Sequence, residues 1–307
     1  MLLVALSLVL LLASLYVLSL YVPAVLATGA GATADRNHPT EIARRATCVL
    51  AVASVSWLPV AYLVASRGTC EGLTHALLGV HAHSAAPPAA AAVMLVAIFY
   101  GGVLALEGRN RVRALRSTTS QQAVASAFDT SQGATVPMLL RNLVVAPLGE
   151  EWVFRACTLP LLRVHGHLAP WPAILTAAFA FSLAHAHHHV TLDRSSRLFV
   201  TIAHPAACAL QMTYTVLFGT FAGALLLRTG SLAAPLAAHV ACNALGFPNF
   251  DAVIPANPGT QRSLAVGTIV AGIVAFAVAI RPVTSAVHSS WTHLENAGEC
   301  GSVYLWR

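Results

Sequence analysis

Long apolar stretches, separated by short polar interruptions, run along almost the whole chain. A membrane-spanning helix needs about 20 predominantly apolar residues. Stretches of that kind lie at residues 2–27, 46–66, 88–106, 137–160, 170–189, 199–227, 231–246 and 263–281. The pattern therefore predicts an all-α, polytopic membrane protein, with about eight transmembrane helices that form a bundle around an intramembrane cavity.

The first apolar stretch is predicted to be a retained span. Residues Met1 to Thr28 include no charged residue, whereas a signal peptide has a basic start and an apolar region of only about 7–15 residues. The chain shows no internal repeat and no sign of a second domain. We expect one integral membrane domain over residues 1–307, with the catalytic core at 137–250.

The arginines between the apolar stretches predict an orientation. The first loop has Arg36, Arg44 and Arg45, and the stretch after the third span has four more arginines, whereas the second loop has only Arg67. By the positive-inside rule, the first and third loops are cytosolic, and the N-terminus faces the lumen or the exterior. The polar, mildly amphipathic stretch from Ser117 to Gln132 is predicted to form an interfacial helix.

Composition supports the membrane assignment and excludes a nucleic-acid-binding protein. Hydrophobic residues make up 57% of the chain and charged residues only 9%, against about 25% charged residues in a typical soluble domain. The formal charge of +6 comes from arginines in short loops, where membrane topology requires them. The six scattered cysteines form no CxxC pair and are expected to be buried structural thiols.

Two adjacent carboxylates are the first candidates for chemistry. Glu150 and Glu151 are the only acidic residues between Thr130 and Leu192, and ionisable groups inside a membrane segment are expensive and usually functional. Arg155 lies four residues after Glu151, which is the spacing of a helical ion pair. This structural explanation accounts for Glu151 and leaves Glu150 without a partner.

Two further groups of polar residues lie in apolar stretches. His185 is followed by His187, His188 and His189, and we expect His185 to face inward while the later three meet the membrane surface. His239 and Asn243 share one helix face at i, i+4 spacing, where an interhelical hydrogen bond is an equally good explanation. Taken together, a carboxylate, two imidazoles and an amide are sufficient for hydrolysis of a peptide by activated water.

These residues resemble the motifs of the type II CaaX prenyl proteases, the Ras-converting endopeptidases of the CaaX-protease and bacteriocin-processing superfamily. That superfamily has two glutamates and an arginine four residues after the second (Glu150, Glu151, Arg155), a Phe and a His four residues apart (Phe181, His185), and a His and an Asn four residues apart (His239, Asn243). The stretches Arg141-Asn-Leu-Val-Val-Ala-Pro-Leu, Ala184-His-Ala-His-His-His189 and Cys242-Asn-Ala-Leu-Gly-Phe-Pro248 resemble the eukaryotic endoplasmic-reticulum branch. The match covers about 110 residues, from Arg141 to Pro248.

The resemblance implies an endopeptidase that removes the last three residues of prenylated CaaX proteins. Glu150 would deprotonate the hydrolytic water, His185 would hold and polarise it, and His239 and Asn243 would form the oxyanion hole. Arg155 would orient Glu151, which supports Glu150, and Phe181 would support the site. The implied substrates are farnesylated or geranylgeranylated proteins such as Ras-type small GTPases, delivered through membrane lipid to an endoplasmic-reticulum site that is accessible from the cytosol.

Several alternatives stay open on the sequence alone. Glu150, His185 and His239 form a His2Glu set of the kind that catalytic zinc uses, although an HExxH motif is missing. The expectation is hydrolysis without a cofactor, and the alternative is a zinc-dependent peptidase of the same superfamily that acts on another peptide. A non-enzymatic membrane scaffold and a proton-coupled transporter are further alternatives. Against the transporter, the chain lacks a repeat and its polar residues cluster in the second half.

Overall fold

The computed structural model describes residues 1–21, 37–66, 77–80, 85–117, 135–193, 199–202, 205–247, 250–254 and 259–288. The helices before the predicted catalytic core are α1 (Leu2–Ser19), α2 (Pro39–Ser56), α3 (Leu58–Ala65) and α4 (Ala86–Ser117). The predicted interfacial helix at Ser117 to Gln132 lies almost wholly outside the described residues.

The next helix, which we name α5, changes its hydrogen-bonding pattern along residues 136–165. It consists of Val136–Leu140, Ala146–Glu151 and Thr158–Pro160 as α-helix and Arg141–Val145, Trp152–Cys157 and Leu161–His165 as π-helix. After it come α6 (Pro170–His185), a 3₁₀ turn (Ala186–His189), an antiparallel pair of strands, β1 (Val190–Asp193) and β2 (Phe199–Ile202), α7 (Pro205–Thr229), α8 (Ala233–Leu245), α9 (Phe250–Val253) and α10 (Thr260–His288).

The described part of the chain confirms an all-α, polytopic membrane architecture, to which the short strand pair is a minor addition. Five helices are long and apolar enough to cross a membrane: Leu2–Ser19, Pro39–Leu63, Ala86–Asn110, Pro205–Thr229 and Thr260–Ser285. The other three of the eight expected spans are helical but fall short by length or by interruption, namely α5, α6 and α8. The segment expected at 199–227 begins with β2, so its helix starts only at Pro205.

Helix α6 ends earlier than the sequence predicts. Proline at the first helical position favours initiation at Pro170, because its ring fixes φ and its missing N–H needs no partner there. The last residue of the helix is His185, and the following histidines belong to the 3₁₀ turn. The predicted span at 170–189 is therefore too long by four residues.

The core lies where α5, α6 and α7 meet. Helices α6 and α7 pack along each other, and α1 packs against α2, α5 and α6. A Cβ atom on Gly219 of α7 would lie 3.0 Å from Cβ and 3.1 Å from Cα of Ala178 on α6, so glycine is what allows these two backbones to approach so closely. Helix α10 is exposed over most of its length, as expected for a lipid-facing helix.

The cysteines largely fit the prediction of buried thiols. Cys157 and Cys208 are buried, Cys48 and Cys242 are half-buried, and all four are free thiols. Cys70 and Cys300 lie outside the described residues.

Candidate active site

The local shape of α5 around the two glutamates follows from Pro147, which has no N–H group to donate. In the π-helical segment before it, the Ala146 N–H bonds the Arg141 carbonyl, five residues back. Continuing that pattern by one residue would require an N–H from Pro147 to the carbonyl of Asn142. The proline therefore leaves a backbone acceptor at Asn142, and π-helical segments of this kind are frequent at functional sites.

Asn243 of α8 bonds this acceptor. Its side-chain Nδ2 donates to the Asn142 carbonyl over 2.8 Å, so the amide ties the end of α8 to α5. Nδ2 has two hydrogens, and the Asn142 carbonyl takes one of them. The side chain is exposed, so the second hydrogen is available to a substrate.

Glu151 is the buried hub of the site. Its side chain is completely buried, and its Oε1 lies 3.1 Å from Nη1 of Arg155 and 2.7 Å from Nδ1 of His239. The ion pair that the helical spacing predicts is thus present. Because a carboxylate only accepts hydrogen bonds, Nδ1 of His239 is the donor. The contact with His239 is a second role for Glu151 that the sequence did not predict.

Arg155 lies between two aromatic rings. Its side chain is 2% exposed, and its Cζ atom is 4.1 Å from the ring centre of Phe181 and 5.5 Å from that of Phe218. The guanidinium is therefore held by one carboxylate and two π faces. The same two rings also orient the imidazoles, because Phe181 packs edge-on against His185 and Phe218 against His239.

Glu150 faces both imidazoles. Its Oε2 lies 4.0 Å from Nε2 of His185 and 3.7 Å from Nε2 of His239. Nδ1 of His185 lies 2.8 Å from the Phe181 carbonyl; because a carbonyl accepts, this nitrogen donates. Separations of this size are too long for direct hydrogen bonds and suit one bridging water. The arrangement is able to hold a water molecule against a carboxylate, as base-assisted hydrolysis requires.

The structure brings together nearly all of the residues that the sequence singled out. Glu150, Glu151, Arg155, Phe181, His185 and His239 form one cluster, and Asn243 lies beside it on α8. His187 is half-buried, and its ring packs edge-on against Tyr21. The side chains of His188 and His189 lie outside the described residues.

Sequence reasoning missed three contributors to this cluster. Phe218 and the Asn142 backbone carbonyl are described above, and the third is Tyr16 on α1, whose hydroxyl lies 3.6 Å from the position that a Cβ atom would take on Gly149, next to Glu150. Of the three, only Tyr16 has a signal in the sequence. Tyrosines in membrane helices concentrate at the interfaces, and this one follows a long aliphatic stretch close to the end of α1.

The donor types of Glu150, His185 and His239 match a zinc site. Ligand atoms at about 2.0–2.2 Å from a tetrahedral zinc lie about 3.3–3.6 Å from one another, and Oε2 of Glu150 lies slightly farther than this from the two imidazole nitrogens, at 3.7 and 4.0 Å. Within the part of the chain that the structure describes, no three His, Cys, Asp or Glu side chains are grouped closely enough to hold a metal ion.

Comparisons with known proteins give one consistent result. Residues 132–245 match a family model described as Type II CAAX prenyl endopeptidase Rce1-like. "CAAX prenyl protease 2" of Homo sapiens is 33% identical over 81% of this chain and 74% of its own length. The protein of the same name in Arabidopsis thaliana is 29% identical over 88% of this chain and 86% of its own length. The one in Caenorhabditis elegans is 38% identical over 35% of this chain and 39% of its own length. A search of solved structures gave no significant match.

Proposed function

Because the chain belongs to the family of type II CaaX prenyl endopeptidases, we propose that Glu150 activates the water that hydrolyses the peptide bond after the prenylated cysteine of a CaaX protein. As a member of this family, the chain is a multi-pass membrane peptidase that acts on prenylated CaaX proteins. The observation that carries the proposed mechanism is the convergence of Glu150 Oε2 with Nε2 of His185 and of His239, at 4.0 and 3.7 Å.

The first step uses Glu150 as the general base. A water molecule between Oε2 and the two imidazoles transfers a proton to Glu150 while its oxygen attacks the carbonyl carbon of the prenylated cysteine. His185 holds this water through Nε2, and the ring is itself fixed by the edge contact with Phe181 and the bond to its carbonyl. Glu150 then passes the proton to the nitrogen of the departing tripeptide, so that atoms and charge balance.

The negative charge that develops on the carbonyl oxygen during attack has to be stabilised by hydrogen-bond donors. Asn243 offers its second amide hydrogen, and His239 offers Nε2 when the ring is protonated. A protonated His239 brings the buried cluster to electrical neutrality, because Glu150 and Glu151 then face Arg155 and one imidazolium. Neutral charge balance is what a buried ionic cluster requires. We therefore assign His239 and Asn243 to the oxyanion hole.

The identity of the prenylated substrates and the membrane in which they are cleaved are part of the same proposal. The prenyl chain partitions into lipid, so the cysteine arrives at an intramembrane site by diffusion within the bilayer. We infer farnesylated or geranylgeranylated Ras-type small GTPases as substrates, cleaved at the endoplasmic-reticulum membrane from the cytosolic side. The arginines of the first and third loops support this orientation.

One assay tests the mechanism. The purified chain in detergent is incubated with a farnesylated CaaX peptide, and release of the terminal tripeptide is followed by mass spectrometry. We expect Glu150→Gln to lower the rate by about 10²–10⁴-fold, the usual contribution of a general base, and His185→Ala to lower it comparably. Glu107→Gln on α4 and His38→Ala before α2 are the matched controls and should leave the rate unchanged.

Each part of the proposal has an outcome that contradicts it. A wild-type rate in Glu150→Gln would overturn the mechanism, and absence of release by the wild type would overturn the substrate. Zinc dependence is tested by chelation: we expect activity to persist after metal removal, with no stoichiometric metal in the purified protein. Loss of activity that zinc restores would favour the zinc alternative, with Glu150, His185 and His239 as ligands.

A further inference from the structure

Arg141 belongs to a stretch of sequence that the proposed mechanism does not use. It is the first residue of Arg141-Asn-Leu-Val-Val-Ala-Pro-Leu, which ends just before Gly149 and Glu150, and the first residue of a π-helical segment of α5. Its side chain is half-buried, whereas that of the next residue, Asn142, is exposed. The arginine therefore lies near the beginning of α5, away from the buried cluster around Glu151.

Two side-chain amides orient the Arg141 guanidinium. Its Nε donates to Oδ1 of Asn142 over 2.9 Å, and its Nη1 donates to Oδ1 of Asn37, before α2, over 3.0 Å. Both acceptors are neutral, so these contacts fix the direction of the guanidinium without adding a negative charge beside it. A planar guanidinium held in a fixed direction is suited to a carboxylate, which it binds through two parallel hydrogen bonds.

The same backbone connects Arg141 to the proposed oxyanion donor. The carbonyl of Asn142 accepts the 2.8 Å bond from Nδ2 of Asn243. A substrate carbonyl that takes the second hydrogen of Asn243 is therefore bound beside the backbone that carries Arg141. Asn37, Asn142 and Asn243 are all exposed, so a peptide is able to approach this end of α5 from water.

A CaaX substrate has a charged group at a matching distance from the bond that is cut. Its C-terminal carboxylate lies three residues beyond the scissile bond, and an extended tripeptide spans about 10–11 Å. Arg141 precedes Glu150 by nine residues, which is about 13 Å of helix at a rise of about 1.5 Å per residue. The difference of about 3 Å is the separation that an attacking water and its carbonyl carbon require.

The direction of α5 also suits the charge of the released peptide. A carboxylate is costly in the middle of a bilayer, so the end of the substrate is better placed among exposed amides than beside the buried cluster. Arg45 on α2 is a less suitable receptor, because it already pairs with Glu41 over 2.6 Å. A purely structural explanation is that Arg141 only ties α5 to Asn37, and the experiment below separates the two.

We infer that Arg141 binds the C-terminal carboxylate of the substrate and thereby fixes the number of residues between the chain end and the bond that is cut. This inference rests on the proposed function, because it takes the position of the scissile bond from the roles of Glu150 and Asn243. It adds a residue that determines specificity to a site whose other members act on the scissile bond.

The test compares two farnesylated CaaX peptides that differ only in a C-terminal carboxylate or carboxamide. Hydrogen bonds to charged groups are strong enough that we expect wild type to cleave the carboxylate peptide about 10–100-fold more efficiently, measured as kcat/KM. Arg141→Gln should lose this preference and cleave both peptides as wild type cleaves the carboxamide. The change should lie mainly in KM, because the contact is the same in the ground state and the transition state.

Three further variants separate recognition from structure. Arg262→Gln removes the charge of an exposed arginine at the start of α10 and should keep the full preference. Asn37→Ala removes the tie to α5 and keeps the guanidinium, so it should retain the preference whatever its effect on unfolding. Arg141→Lys retains the charge and should restore part of the preference that Arg141→Gln loses.

A binding measurement reports the contact without relying on turnover. Both peptides, labelled at the N-terminus, are titrated with Glu150→Gln and with Glu150→Gln/Arg141→Gln in detergent, and fluorescence anisotropy gives Kd. We expect Glu150→Gln to bind the carboxylate peptide about 10–100-fold more tightly than the carboxamide. The double variant should bind the two peptides equally.

An equal loss of activity on both peptides in folded Arg141→Gln would support the structural explanation and overturn the inference. An unchanged preference in this variant, or equal cleavage and binding of the two peptides by the protein with Arg141 intact, would overturn it as well. Failure of the proposed function has a different signature: activity would persist in Glu150→Gln, or wild type would release no tripeptide, while the binding comparison still reports on Arg141.

Discussion

Glu151 connects the stability of the buried cluster to its chemistry, and substitution separates the two. In Glu151→Gln, the charge of Arg155 remains buried between Phe181 and Phe218 with its carboxylate partner removed. Removal of one partner from a buried ion pair costs about 3–5 kcal/mol, because the other charge is left uncompensated. We expect a loss of that size in the free energy of unfolding.

The double variant Glu151→Gln/Arg155→Met removes both charges. Replacement of a buried ion pair by apolar groups of similar volume is often neutral or stabilising, and a methionine fits between two aromatic rings through favourable sulfur contacts. We therefore expect the double variant to regain most of the lost stability. It does not regain the carboxylate that holds Nδ1 of His239 at 2.7 Å, so activity should stay low.

The expected loss of kcat/KM in the double variant is on the order of 10²–10⁴-fold, the range that follows when a catalytic histidine loses its carboxylate partner. Stability is measured by SDS titration in mixed micelles with tryptophan fluorescence, and activity by tripeptide release per folded molecule. Recovery of both properties in the double variant would refute the second role of Glu151. Undiminished stability of Glu151→Gln alone would refute the charge argument.

Two further predictions concern helix contacts around the site. Gly219→Val should destabilise the protein by about 1–3 kcal/mol through overpacking and lower its activity, because a Cβ at this position lies 3.0 Å from Ala178 and 3.5 Å from Nη2 of Arg155. The control is Gly267→Val on α10, where a Cβ has no atom within 4 Å. Equal unfolding midpoints of the two variants would contradict the packing argument. Asn243→Ala should lower kcat by about 10²–10³-fold with little change in KM, as expected for an oxyanion donor. Asn142→Ala, which keeps the backbone carbonyl that Asn243 bonds, should retain most of the activity, and an equal loss in both variants would argue against the oxyanion role.

The sequence was sufficient for the contacts that local spacing determines. Apolar stretches of about 20 residues located the helices, and the four-residue step from Glu151 to Arg155 predicted their ion pair, which the structure contains. Helical spacing offered Glu150 no partner on its own helix, and its neighbours in the structure come from other helices. His185 and His239 are both distant from it along the chain.

The remaining features of the site depend on how the helices pack together, and the sequence of a membrane protein does not indicate this packing. Without a hydrophobic driving force between helices in lipid, apolar residues do not indicate which face of a span meets which neighbour. Phe218 therefore looks like any other apolar residue of α7, although it holds both Arg155 and His239. The irregular course of α5 has a local cause in Pro147, but the sequence does not show that Asn243 bonds the carbonyl freed there.

Two of the helices that carry site residues are shorter than a membrane-spanning helix. Helix α6 has 16 residues and α8 has 13, which correspond to about 24 and 20 Å, less than a hydrocarbon core of about 30 Å. Polar backbone at the end of such a helix is tolerated within the membrane only where protein or water covers it. His185 is the last residue of α6, and Asn243 lies in the last turn of α8. Both short helices thus end at residues of the candidate site, whose side chains and the neighbouring helices cover the polar helix ends.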